Sequence, residues 1–116
     1  IMGKNTALVH GPLGEAIAKS KYNIHNKNIL NAIRYHTTGR ENMSLLEKIV
    51  FIADLIEPSR NFPGVEKMRK LAYENLNKSI IFALNSNIQF VIERKGLLHL
   101  DTIKARNYLL TLEDME

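Results

Sequence analysis

The chain contains no cysteine, which excludes disulfides, thiolate metal sites and cysteine nucleophiles together. Any metal must then sit on His, Asp or Glu, donors that suit iron, manganese, zinc or magnesium better than soft ions. No apolar run approaches the roughly 18 to 20 residues of a membrane span, and the N-terminus lacks a charged-then-apolar signal pattern. A cytoplasmic address without a membrane partner is therefore expected. Strand-like alternation is nearly absent, and there is no internal repeat, low-complexity tract or linker, so the chain reads as all-α.

What is present is ordinary globular composition: 116 residues, 45% hydrophobic and 24% charged, enough for one domain with its own core. The net charge of +4 favours anionic ligands. Lys and Arg are scattered, without a basic helical face or aromatic platform, which favours a small phosphate-bearing ligand over nucleic acid. The chain opens Ile1-Met2, so Ile1 is not an ordinary initiator residue, and a processed or truncated molecule is expected.

Six helices are predicted. The first starts at Pro12, where a proline can open a helix, and runs to Lys21. Asn26 caps a second, carrying Ile29, Leu30 and Ile33, with His36 in its last turn and Gly39 as its stop. Ser44 and Glu47 form a capping box for a third helix from Leu45 to near Pro58. A turn at Phe62-Pro63-Gly64 precedes helices over Val65 to Tyr73 and Leu76 to Arg94, with Gly96 ending the latter. Asp101 caps a last helix from Thr102 to Leu110.

Nine of the twelve residues from Leu45 to Ile56 are apolar, so the third helix is expected at the centre of the core. Asp54 lies within it, and an ionised carboxylate there is costly unless paired or metal-bound. Its structural reading is a buried carboxylate held by Arg34, Arg60 or a backbone amide. Its functional reading joins it to His10, expected just before a helix, and His36 as a His, His, carboxylate ligand set. Separations of 26 and 18 residues match no short metal-binding pattern. Glu47 is accounted for by the capping box, and Glu57 is a candidate partner for Arg60 or Arg40. Arg40 and Arg60 lie in turns close in sequence to His36 and Asp54, where bidentate donors could hold phosphate. His99 and Asp101 precede a helix N-terminus, which suits an anion, whereas His25, in a polar turn, reads as structural.

His10-Gly11-Pro12-Leu13-Gly14, Asn31-Ala32-Ile33-Arg34-Tyr35-His36-Thr37-Thr38-Gly39-Arg40, Ser44-Leu45-Leu46-Glu47-Lys48-Ile49, Ala53-Asp54-Leu55-Ile56-Glu57-Pro58 and Asp101-Thr102-Ile103-Lys104-Ala105-Arg106-Asn107 occur in that order. Together they resemble the YqeK branch of the HD-domain phosphohydrolases, over His10 to Leu110. The resemblance implies an all-α HD-type helical domain that hydrolyses diadenosine tetraphosphate symmetrically to two ADP, with a divalent, binuclear iron centre held by histidines and aspartates. It places His10, His36 and Asp54 at metal positions, Asp54 also as the catalytic residue. It places His10, His36, Arg60, Leu97, Leu98, His99, Asp101 and Thr102 against the nucleotide.

Two departures qualify this. His99-Leu100-Asp101-Thr102 stands where relatives commonly have His-Pro-Asp-Thr. The family's first histidine and its His-Asp doublet are missing, so residues 1–116 are expected to be a single, N-terminally incomplete HD-type domain, with uncovered apolar surface around Leu8, Val9 and Ile52 that could aggregate or pair as a homodimer. Two alternatives stay open: another HD-type nucleotide phosphohydrolase, and a non-catalytic nucleotide-binding helical domain.

Overall fold

The computed structural model describes the backbone of residues 2–114 and the side chains of residues 10–113. Six helices follow one another: α1 (Met2–Ser20), α2 (Lys27–Arg34), α3 (Leu45–Ile56), α4 (Val65–Glu74), α5 (Leu76–Glu93) and α6 (Leu100–Asp114), with no strand among the described residues. α1 packs on α2 and α2 on α3, while α5 packs against α3, α4 and α6.

The start signals of α2 and α3 are those expected. The Asn26 side chain accepts from Ile29 N (3.2 Å) at the head of α2, and Ser44 Oγ accepts from Glu47 N (3.2 Å) at the head of α3. Asn75 caps α5 by accepting from Lys78 N (3.0 Å). Each side chain satisfies a backbone donor that has no intrahelical acceptor.

Four expectations need correction. First, Pro12 does not open α1: the helix runs straight through it, so His10 lies inside a helix and not ahead of one. Pro12 forfeits the bond its missing N–H would have made to the carbonyl four residues earlier. Gly11 shows what holds the crossing, for a Cβ built there would lie 1.8 Å from the Arg34 carbonyl oxygen. Only glycine lets α1 approach the end of α2 this closely.

Second, α2 stops at Arg34, and His36 sits in the turn that follows, before Gly39 at φ +72°. Third, α6 starts earlier than expected and is capped by His99, whose Nδ1 accepts from Asp101 N (3.0 Å), so Asp101 belongs to its first turn. Fourth, the left-handed residue that ends α5 is Lys95 (φ +56°), one before the expected Gly96. Gly96 N then donates to Val91 O and Lys95 N to Ile92 O, the paired bonds of a Schellman stop.

The core also differs from expectation. Met43, Phe51, Ile52, Met68, Ile80, Ile81, Leu84, Ala105 and Leu109 form one buried cluster, and its central helix is α5, not α3. α3 buries Phe51 and Ile52 but leaves Leu45, Leu46 and Ile49 exposed, as α1 does with Leu13 and Ile17 and α2 with Ile29. Ile52 is therefore core and not open surface; the side chains of Leu8 and Val9 lie outside the described residues. No described helix is long and apolar enough to cross a membrane.

Candidate nucleotide and metal site

Asp54 is not buried. Its side chain keeps 44% of its surface, and its Oδ2 lies 3.3 Å from Arg60 Nη2. Of the three partners the structural reading left open, Arg60 is the one found, and the burial is absent because the helix expected to be central has one open face. Arg60 Nε also donates to the Asp54 carbonyl (3.1 Å), and Glu57 Oε1 lies 3.9 Å from the same nitrogen. The carboxylate and the guanidinium thus meet at the C-terminal end of α3, where the chain turns at Pro58-Ser59.

His36 is half-buried in the turn after α2. Its Nδ1 lies 2.6 Å from the Ile33 carbonyl oxygen. A carbonyl can only accept, so Nδ1 carries the proton and a neutral ring keeps its lone pair on Nε2. That is how backbone carbonyls orient metal-ligating histidines. His36 is therefore oriented as a metal ligand would be. His10, on α1, is exposed. Among the described residues no three His, Asp or Glu side chains come together as a metal cluster, so His10, His36 and Asp54 do not by themselves make a complete site.

The loop that carries His36 is anchored from below. Arg40 Nε and Nη2 donate to the two Glu47 carboxylate oxygens (2.7 and 2.6 Å), with Glu47 fully buried. Burial pushes the Glu47 carboxyl up, but the Arg40 hydrogen bonds and charge outweigh it and hold the group below the usual carboxylate range. The same pair raises the Arg40 guanidinium above its ordinary value, against its own desolvation. Arg40 also lies over the Tyr35 ring at 5.1 Å. Glu47 is therefore more than a capping-box residue, and the Arg40 partner is Glu47, not Glu57.

Thr102, buried, donates from Oγ1 to the Thr38 carbonyl (2.8 Å) and so ties the start of α6 to the His36 loop. His99 and Asp101 are partly exposed at the same helix start. Because Nδ1 of His99 accepts the Asp101 amide, a neutral His99 presents an Nε2–H donor. Leu97 is exposed, whereas Leu98 helps line an open cleft of ≈ 430 Å³ between α5 and α6. Arg106 in that cleft donates to Asn85 Oδ1 (2.9 Å) and Asn107 Oδ1 (3.0 Å).

Sequence reasoning missed Arg69. It donates to the carbonyls of Ile56 (3.0 Å), Glu57 (3.0 Å) and Arg60 (2.8 Å). Nothing in the local pattern announces this, because the acceptors are backbone oxygens in a turn far back in the chain.

No protein-family model matches the chain. A protein named symmetrical bis(5'-nucleosyl)-tetraphosphatase from Halalkalibacterium halodurans is 48% identical over 103 residues, which are 89% of this chain and 55% of that protein. Its namesake from Bacillus subtilis is 38% identical over 111 residues, 96% of this chain and 60% of that protein. A solved structure from Clostridium acetobutylicum, described as an HD-superfamily hydrolase involved in NAD metabolism, superposes with a TM-score of 0.86 at 53% identity, over 88% of this chain and 54% of that one. The chain belongs with these HD-superfamily proteins. It spans a little over half the length of the curated relatives it matches, and its six helices are the HD-superfamily architecture expected from the sequence.

Proposed function

We propose that this chain is part of a metal-dependent hydrolase that splits dinucleoside polyphosphates symmetrically, diadenosine tetraphosphate giving two ADP. The observation that carries the reading is the 48% and 38% identity, over about nine-tenths of the chain, to proteins named for that reaction. His36 supports it locally, because its ring is already oriented by the Ile33 carbonyl to offer Nε2.

In this reading His10, His36 and Asp54 contribute to the metal centre, with the remaining ligands outside the 116 residues. Asp54 has the exposure this needs, and Arg60 Nη2 lies 3.3 Å from its Oδ2. A divalent metal held by these residues, assigned as binuclear iron, would supply Lewis acidity and activation of water. Arg60 offers guanidinium donors to phosphate oxygens, where they offset charge that builds on phosphorus. His99 adds its Nε2–H at the start of α6, and Leu97, Leu98, Asp101 and Thr102 shape the nucleotide side. The reaction is assigned to the cytoplasm, without nucleic acid as a partner.

The test is product analysis with diadenosine tetraphosphate and several other dinucleotides and nucleotides, using the intact protein that carries this chain, with and without chelator. ADP as sole product, lost on chelation, is expected. AMP with ATP, or preference for a mononucleotide, would move the reading to another HD-type phosphohydrolase. ADP binding without turnover or metal dependence would leave a nucleotide-binding domain.

A further inference from the structure

The geometry points to Arg69 as the positioning residue for Arg60, holding the 57–60 turn in the shape that presents that guanidinium to phosphate. The inference rests on the proposed role of Arg60 and adds what places it. Arg69 stands in the middle of α4, a helix with no other part in the site. Its Nε donates to the Ile56 carbonyl, and its Nη2 is shared between the carbonyls of Glu57 and Arg60. Its Nη1 is fixed at 2.5 Å by Glu66, one turn earlier on α4.

Those acceptors matter because α3 ends there: carbonyls at a helix C-terminus lack intrahelical donors. One guanidinium spans the last residue of α3, its C-cap and the far side of the turn. Only the flat, multi-donor head of arginine can do this, since an ammonium is a single point donor group. The turn's own bond, Arg60 N to Glu57 O (2.9 Å), is a single contact in an exposed segment. With Arg69 holding the Arg60 carbonyl as well, the Arg60 backbone is pinned at both its N–H and its C=O, and its side chain is aimed back at Asp54.

The test is a double-mutant cycle in the intact protein, with kcat/KM for diadenosine tetraphosphate as one readout and amide hydrogen exchange as the other. Arg69→Ala is expected to lower kcat/KM at least tenfold when Arg60 is present and less than twofold in an Arg60→Ala background. Exchange over residues 57–61 should quicken at least tenfold, with α5 and α6 unchanged. Arg69→Lys, which keeps the charge and the packing of the stem, is expected to behave like Arg69→Ala, and it serves if the alanine variant does not fold. Losses that add independently of Arg60, or unaltered exchange over 57–61, would overturn the inference. If the unsubstituted protein hydrolyses no dinucleotide, the proposed function fails, and the exchange measurement alone still decides whether Arg69 holds the turn.

Discussion

Removing Arg40 should reverse the acid response of the fold. Glu47 retains only 1% of its side-chain surface, whereas Arg40 keeps 32% of its own, so the partners are unequal. Truncating the buried partner leaves a guanidinium that can turn to water; truncating the arginine leaves a buried carboxylate with nothing to balance it. Breaking a buried pair from one side costs about 3–5 kcal/mol. Arg40→Ala should fall near the middle, about 4 kcal/mol at pH 7, and Glu47→Gln near or below 3 kcal/mol, because the amide can still accept one bond from Arg40. The pH dependence separates the two states.

In the unsubstituted protein Glu47 is held below its unfolded value, so its contribution is present above the ordinary carboxylate range and is lost as pH falls through the lower folded value. In Arg40→Ala burial, the largest influence on this carboxyl, is opposed only by the Ser44 hydrogen bonds and pushes the group up, so that variant should regain stability on acidification from pH 7 toward pH 5. Urea denaturation followed by helical circular dichroism at several pH values measures both. Equal costs for the two variants, or an Arg40→Ala protein that only weakens with acid, would refute the reasoning.

Gly11→Ala should destabilise the α1–α2 crossing by about 2–3 kcal/mol, the upper range for overpacking, because the obstacle at 1.8 Å is the Arg34 backbone and not a side chain that can turn away; thermal unfolding measures it. Thr102→Val keeps the shape but strips the donor from the Thr38 carbonyl. A loss of about 1–2 kcal/mol is expected, with faster exchange in the His36 loop and not in α4. His36→Gln should abolish metal uptake measured by elemental analysis while leaving helical content intact.

How far the sequence announced all this depended on the range of the interactions. Asn26 and Ser44 cap what local pattern said they cap, since both bonds close within three residues. Pro12 misled because its local preference for a helix start was outweighed by the packing of α1 on α2 through Gly11, a contact with a residue 23 positions away. Asp54 misled for a related reason. Apolar residues all round α3 predict burial on every side, but Leu45, Leu46 and Ile49 face outward here, and Asp54 is exposed with them. The Arg40–Glu47 clamp was half legible: both residues stood out, but Glu47 already had a local explanation. Arg69 was not legible at all, since carbonyl acceptors have no sequence signature. The site residues themselves came from resemblance across ordered motifs, not from spacing.

The most direct measurement is hydrolysis of diadenosine tetraphosphate by the intact protein with Asp54 replaced by Asn. A folded protein with unchanged helicity, metal content below that of the unsubstituted protein, and turnover to ADP reduced by at least two orders of magnitude is expected. Full turnover with Asp54→Asn would contradict this, and would mean that the carboxylate beside Arg60 is an ordinary surface ion pair at the end of α3.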